Sequence, residues 1–356
     1  MNEKIRWLRN KIKSLDLDAM IVSNPINIKY LTGIEAEGIL ILARKENFFI
    51  TDGRYIEAVQ SLLTVEDEII VENVKDLSSQ DEENFFLFCE NVGFEENYVT
   101  YAKYKEYMYR YKIHNLVETE KIVEKQRAIK DNEEIKYITK ACNITDDCFE
   151  YLLNYIKIGM TEKQIASAIE RFFRINGAEE LAFDTIVASG PNSSMPHAVP
   201  TDRKIEYGDV ITIDMGCKYK GYCSDMTRTI FVGKVDENVK KIYNLVLKNQ
   251  EQTIEEMKEG AICKNIAKMV INDFEINGYT LIHGLGHSLG LEIHEIPNLS
   301  SKSEVVLKNN MIITDEPGIY VPGKFGIRIE DTVIVGKSTG VALTKSNKEI
   351  IIIQGE

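Results

Sequence analysis

Residues 208–233 read GDVITIDMGCKYKGYCSDMTRTIFVG. Two runs rich in Ile, Val and Thr flank the polar sequence KYKG, the pattern of a β-hairpin. A two-residue loop at Tyr219 and Lys220 makes paired positions sum to 439, which sets Asp214 directly opposite Asp225. Period-two alternation then puts Thr212, Asp214, Asp225 and Thr227 on one face. Directly opposed side chains have Cβ atoms about 5 Å apart, and two carboxylates that close repel. A shared proton, a neighbouring Lys or Arg, or a polyvalent cation has to compensate. A solvated turn carrying two incidental acids is the bland alternative.

Two later stretches add acids of the same kind. ITDEPGIYV at 313–321 places Glu316 beside a Pro-Gly turn, and GIRIEDTVIVG at 326–336 carries Glu330 within a run that otherwise reads as a strand. A carboxylate inside such a strand is costly unless it is paired or bound to metal. HGLGHSLGLEIH at 283–294 holds His283, His287 and His294, three of the chain's five histidines. Gly284, Gly286 and Gly290 make a regular helix poor there, so the i, i+4 histidines are not read as a helical pair. The glycines suit close backbone approach around a site. LEIHEI looks strand-like, turning Glu292 and His294 to the same side. Histidine serves both metal ligation and proton transfer near neutral pH. Two Asp, two Glu and one His form a hard, oxygen-rich set for two divalent ions such as Mn²⁺, Co²⁺, Fe²⁺ or Zn²⁺. Such ions activate water and polarise carbonyls.

Working outward, the 356-residue chain is long for a single core, and two domains are expected. A net charge of −13 argues against a general nucleic-acid binder. No apolar run approaches the length of a membrane span. Ile5, Leu8, Ile12 and Leu15 keep helical spacing in a first amphipathic helix rather than a signal peptide, which predicts a cytoplasmic protein. The six cysteines form no CxxC pair and read as reduced thiols.

Residues 1–122 mix strand-like runs (DAMIVS, EGILILA, NFFIT, DEIIVEN) with helical stretches (RYIEAVQSLL, DEENFFLFCENV), giving an α/β domain. His114 stands alone there, as a surface or packing residue. The charged run KIVEKQRAIKDNEEIKYITKA sets a second domain at 123–356. Capping-box spacings at Asp131/Glu134 and Thr161/Gln164 predict helices near 131–157 and 161–176. After Gly177 the pattern turns to strands and glycine-rich turns.

The segments FDTIVASGPNSSMPHAVP, VITIDMG, YCSDMTRT, HGLGHSLGLEIHE, ITDEPGIY and GIRIEDT together resemble the pita-bread metallopeptidases. With NPINIKYLTGI and FFITDGRY, the whole chain is similar to their Xaa-Pro branch, aminopeptidase P and prolidase. The resemblance implies an α/β N-terminal domain followed by an α+β pita-bread catalytic domain. It implies Asp214, Asp225, His287, Glu316 and Glu330 as ligands of two divalent ions, with Mn²⁺ preferred and Co²⁺, Zn²⁺ or Fe²⁺ as alternatives. His197, His283 and His294 would line the substrate wall, Glu316 would shuttle a proton, and Arg328 would support the site. Full occupancy of the ligand positions argues against the metal-free hydrolases and binding modules of the same fold, and the N-terminal domain against methionine aminopeptidase. No cation follows His294 to receive a proline carboxylate, which favours the aminopeptidase over the dipeptidase. A proline-containing peptide as substrate and a homodimer are also implied. Ser288 and Asp315 depart from the usual pattern, and Asp315 is expected to point outward.

Overall fold

The computed structural model describes residues 2–44, 46–63 and 68–354. The chain divides into two compact units, Met1–Arg127 and Ala128–Glu356. The first unit runs α1 (Glu3–Ser14), β1 (Ala19–Val22), α2 (Pro25–Thr32), β2 (Gly38–Ala43), β3 (Asn47–Thr51) and α3 (Ile56–Leu62). It continues with β4 (Ile69–Asn73), α4 (Ser79–Asn84), β5 (Asn91–Phe94), α5 (Tyr101–Arg110), β6 (Asn115–Glu118) and α6 (Ile122–Arg127). Asn2 caps α1 by accepting from the Lys4 and Ile5 N–H groups, and the helix buries Ile5, Leu8 and Ile12. Leu15, just past the last turn, stays 46% exposed.

The sheet order is β4-β3-β2-β1-β5-β6, with β2 antiparallel to both neighbours and the other pairings parallel. The helical expectation for DEENFFLFCENV holds only through α4; its last residues, Asn91 and Val92, begin β5. The reason is non-local. Val92 pairs with Ala19 of β1, and a Cβ on Gly93 would lie 2.8 Å from Thr119 and 2.9 Å from Leu17. Pairing partners 73 residues apart in the chain, not local periodicity, decide that segment.

The second unit opens with α7 (Asn132–Tyr155) and α8 (Glu162–Ile175), each started by the expected capping box, Asp131/Glu134 and Thr161/Gln164. Strands β7 (Glu180–Leu181), β8 (Ile186–Ser189), β9 (Val210–Met215), β10 (Cys217–Tyr219), β11 (Tyr222–Cys223) and β12 (Met226–Val232) follow. Next come α9 (Glu237–Glu256) and α10 (Cys263–Ile276), two long helices that the reading of strands and turns after Gly177 omitted. Their buried stripes include Tyr243, Val246 and Gln250 in α9, and Ile266, Val270 and Phe274 in α10. The chain ends with β13 (Gly286–Ser288), β14 (Glu295–Leu299), β15 (Ile312–Asp315), β16 (Gly318–Val321), β17 (Phe325–Arg328), β18 (Asp331–Ile334), β19 (Val341–Ala342) and β20 (Ile352–Ile353).

Two larger sheets, β20-β12-β9-β8 and β14-β13-β15-β18-β19, form the body of this unit. Ile211, Ile213, Met215 and Ile230 share a core with Ile144, Phe149 and Ile165 of α7 and α8. Ile313 and Val333 share another with Val246 and Val270 of α9 and α10. Each sheet thus sends its apolar residues to a helix pair.

The hairpin register differs from the expectation. Tyr219 pairs with Tyr222, so the loop is Lys220-Gly221, both with positive φ, as a type I′ turn requires. Paired positions sum to 441, and Asp214 faces Thr227 rather than Asp225. Because the sum shifts by two, face assignment survives: Asp214, Asp225 and Thr227 keep one side, and Asp225 becomes a diagonal neighbour. Two further stretches also differ. Residues 291–294 bend, and the strand begins only at Glu295; likewise Ile329 and Glu330 interrupt the run between β17 and β18. All six cysteines, Cys89, Cys142, Cys148, Cys217, Cys223 and Cys263, are free thiols. Among the described residues no helix is long and apolar enough to cross a membrane.

Candidate metal centre

Asp214 lies near the end of β9 and Asp225 just before β12. His287 sits in β13, Glu316 directly after β15, and Glu330 directly before β18. Strand ends from two sheets therefore supply the acids. The sheets are stitched at this point: Thr332 Oγ1 donates to the Asp225 carbonyl at 2.7 Å, and the Glu330 N–H donates to the Thr227 carbonyl at 3.1 Å.

Asp225, His287 and Glu330 each offer a ligand atom, and these atoms lie within 4.8 Å of one another. His287 Nε2 is 3.5 Å from Asp225 Oδ2 and 3.9 Å from Glu316 Oε1. Its Nδ1 is 3.2 Å from the Ser288 carbonyl, which only accepts, so the proton belongs on Nδ1 and Nε2 faces the acids bare. One glycine of the histidine stretch is sterically required by backbone, and a second is packed against a side-chain end. A Cβ on Gly286 would lie 2.0 Å from the Thr314 carbonyl oxygen, and one on Gly290 2.6 Å from Glu295 Oε1; one on Gly284 would meet nothing nearer than 4.0 Å.

Arg328 is the positive counterweight. Its Nη2 donates to Asp214 Oδ2 at 2.6 Å, Nε to Thr227 Oγ1 at 3.0 Å, and Nη1 to the Tyr320 hydroxyl at 2.7 Å and the Pro196 carbonyl at 3.2 Å. Thr227 Oγ1 in turn donates a hydrogen bond to Glu330 Oε2 at 2.7 Å. Tyr320, which the sequence reading missed, links Arg328 to His283 Nε2 at 3.0 Å. Its only sequence signal is an aromatic two residues after the Pro-Gly turn.

One guanidinium cannot balance four carboxylates, two of them buried (Asp225 and Glu330) and two partly buried (Asp214 and Glu316). Burial and then Glu330 push Asp225 well above the usual carboxylate range; burial and then Glu316 do the same to Glu330. Burial raises Glu316 to about 8 against the opposing charge of Arg328. Burial holds His283 and His287 down to about 4, which keeps both imidazoles neutral near pH 7. Asp214 Oδ1 and Asp225 Oδ1 are buried and have no hydrogen-bond partner among the described residues. Orphaned carboxylate oxygens beside a neutral imidazole are the donor set a divalent cation satisfies.

The remaining expected residues assemble around this cluster. The His294 ring packs edge-on against His287, with centroids 4.4 Å apart. His283 Nδ1 is 4.0 Å from Glu316 Oε2. His197 is exposed in the turn after the 3₁₀ helix Gly190–Ser194 and bears electrostatically on His283. Asp315 does not point outward. It is 0% exposed, opposite Asp331, and both its oxygens lack partners among the described residues. All four residues of β15 are covered, so neither face of that strand meets solvent.

Residues 136–337 match metallopeptidase family M24, and residues 4–129 match the creatinase/prolidase N-terminal domain. An Xaa-Pro dipeptidase from Pyrococcus horikoshii is 36% identical over 360 residues, covering 99% of both chains. The structure of an Xaa-Pro dipeptidase from Bacillus anthracis is similar at a TM-score of 0.92 and 36% identity, covering 98% of this chain and 99% of that one. The structure of an X-Pro aminopeptidase from Thermotoga maritima MSB8 is similar at a TM-score of 0.87 and 32% identity, covering 96% of this chain and 100% of that one. Relatives of this kind span both units from end to end, and together with the match over 136–337 they show that the chain belongs to metallopeptidase family M24, with a creatinase/prolidase N-terminal domain.

Proposed function

We propose that this metallopeptidase is an Xaa-Pro dipeptidase whose Asp214, Asp225, His287, Glu316 and Glu330 hold two divalent ions, manganese by preference. The observation that carries the reading is the cluster of four buried or partly buried carboxylates around one bare imidazole nitrogen, with two buried carboxylate oxygens unpartnered among the described residues. Bound divalent cations supply Lewis acidity, activating water and polarising the scissile carbonyl.

The chain's own residues do the rest. Arg328 fixes Asp214, and Thr227 fixes Glu330, so the two acids keep their places when a substrate arrives. Proline's nitrogen carries no N–H in the peptide and needs a proton to leave. Glu316, close to both His283 and His287, is placed to deliver it. His197, His283 and His294, with Tyr320, form the wall for the proline ring and the carbonyl. Following the resemblance, the proposal extends to a cytoplasmic homodimer, whose subunit count sedimentation equilibrium reads directly.

The Xaa-Pro relatives above favour the dipeptidase over the aminopeptidase expected from the sequence. One observation favours the second reading: four of the five Arg328 N–H groups already donate within the site, leaving a single one, on Nη2, and no bidentate pair for a proline carboxylate. With Mn²⁺, the expected kcat/KM on an Xaa-Pro dipeptide exceeds that on the tripeptide extended after proline by about 10-fold or more. A faster tripeptide establishes the aminopeptidase, and turnover of neither rejects both.

A further inference from the structure

Lys130 precedes α7, and its side chain is 1% exposed. Its Nζ donates to Glu295 Oε2 at 3.2 Å and to Ser288 Oγ at 3.2 Å. Ser288 Oγ donates onward to the Ile312 carbonyl at 2.8 Å, and the Glu292 N–H donates to Glu295 Oε1 at 3.3 Å. The Glu295 side chain is itself only 5% exposed. A buried ammonium–carboxylate pair adds little stability over apolar residues of the same volume, so its presence asks for another account.

Position supplies one. Ser288 directly follows His287, at the bulge where β13 slips against β14, and pairs with Glu295 across the two strands. Glu295 directly follows His294. Residues 289–294 between them have no helix or strand of their own. Both ends of that loop are therefore tied to one ammonium. The middle is tied as well: the Gly290 carbonyl accepts from the Cys223 N–H at 2.8 Å, two residues before Asp225.

We propose that Lys130 is a positioning residue for the peptidase reaction: it clamps both ends of the 289–294 loop and so fixes the His294 ring beside His287. The proposal rests on the peptidase reading above. Removing the ammonium leaves Glu295 buried without its cation, loosens the loop, and lets His294 drift by the ångström that costs about 100-fold in rate. The ion-binding acids, held by Arg328, Thr227 and Thr332, stay where they are.

The test is Lys130→Met in the metal-loaded full chain. The expected kcat on an Xaa-Pro dipeptide falls about 100-fold while KM stays within about threefold. Metal content by elemental analysis stays at the wild-type value. Amide hydrogen exchange quickens in 289–295 and not in 312–315. The double variant Lys130→Met/Glu295→Gln removes the carboxylate charge together with the ammonium, and decides the matter where the single variant does not fold; it shows the same loss of kcat. In a His294→Ala background, Lys130→Met costs no further rate. A kcat within twofold of wild type in a folded variant, unchanged exchange in 289–295, or a full additional loss in the His294→Ala background overturns the clamp. Absence of Xaa-Pro turnover by the wild-type chain rejects the peptidase reading alone, and hydrogen exchange still decides the clamp.

Discussion

Glu95 and Asp315 are both carboxyls sealed from water, and their partners set them apart. Glu95 accepts from the Ser23 and Asn24 N–H groups at 2.6 and 2.8 Å and from Asn27 Nδ2 at 2.7 Å. Burial nevertheless raises it from its ordinary 4.5 to about 7. The native chain then binds this proton more tightly than the unfolded chain, so stability falls as pH rises from 4.5 through 7. Glu95→Gln is expected to remove about 3 kcal/mol of that decline. Urea unfolding followed by the chain's one tryptophan, Trp7, checks it between pH 4.5 and 7.5. Asp315 has no such donors; burial and then Asp331 push its carboxyl well up. It was misread because alternation along a four-residue strand tells which side chains share a face, not whether that face is covered. The five candidate ligands, by contrast, were legible as residues. Acids within or at the ends of otherwise apolar runs violate burial chemistry, and His287 stands in a cluster of three of the chain's five histidines.

The hairpin shows what an element reveals and withholds. Alternation and strand propensity located both strands, and parity protected the face. The register depended on which pair of residues takes positive φ, and Lys220-Gly221, with Gly second, fits a type I′ turn better than Tyr219-Lys220. Lys220 holds φ at +52, where a non-glycine L-residue is strained. Lys220→Asn is expected to stabilise the protein by about 1 kcal/mol, seen as a raised urea midpoint with an unchanged slope. The capping boxes of α7 and α8 were legible because a cap is local chemistry between residues three apart. β5 was hidden for the opposite reason. α9 and α10 were overlooked although their buried residues keep helical spacing, since the glycine-rich segments around them drew the reading toward turns.

At the scale of the molecule, two helix-backed sheets hold mutually repelling acids together by backbone stitching and one arginine. Cation binding to the folded state alone adds stability through mass action, about 2.7 kcal/mol at 100 times Kd. Mn²⁺ is therefore expected to raise the melting temperature of the chelator-treated protein. Asp225→Asn is expected to abolish that rise together with turnover; calorimetry with and without the ion checks it. The division into two domains was legible from chain length and the charged run near residue 122, and the catalytic fold because the motif segments keep their order along the chain. The pairing of sheets that brings Asp225 beside Glu330 was not, because the two lie 105 positions apart, with two helices and six strands between them. That separation governs the order of events at birth. Asp214 and Asp225 leave the ribosome long before His287, Glu316 and Glu330, so a nascent chain arrested between Asp225 and His287 carries two lone acids, and one arrested anywhere short of Glu330 still lacks the last of the proposed ligands. Ion uptake by the proposed five-ligand site must come after nearly the whole polypeptide has been translated.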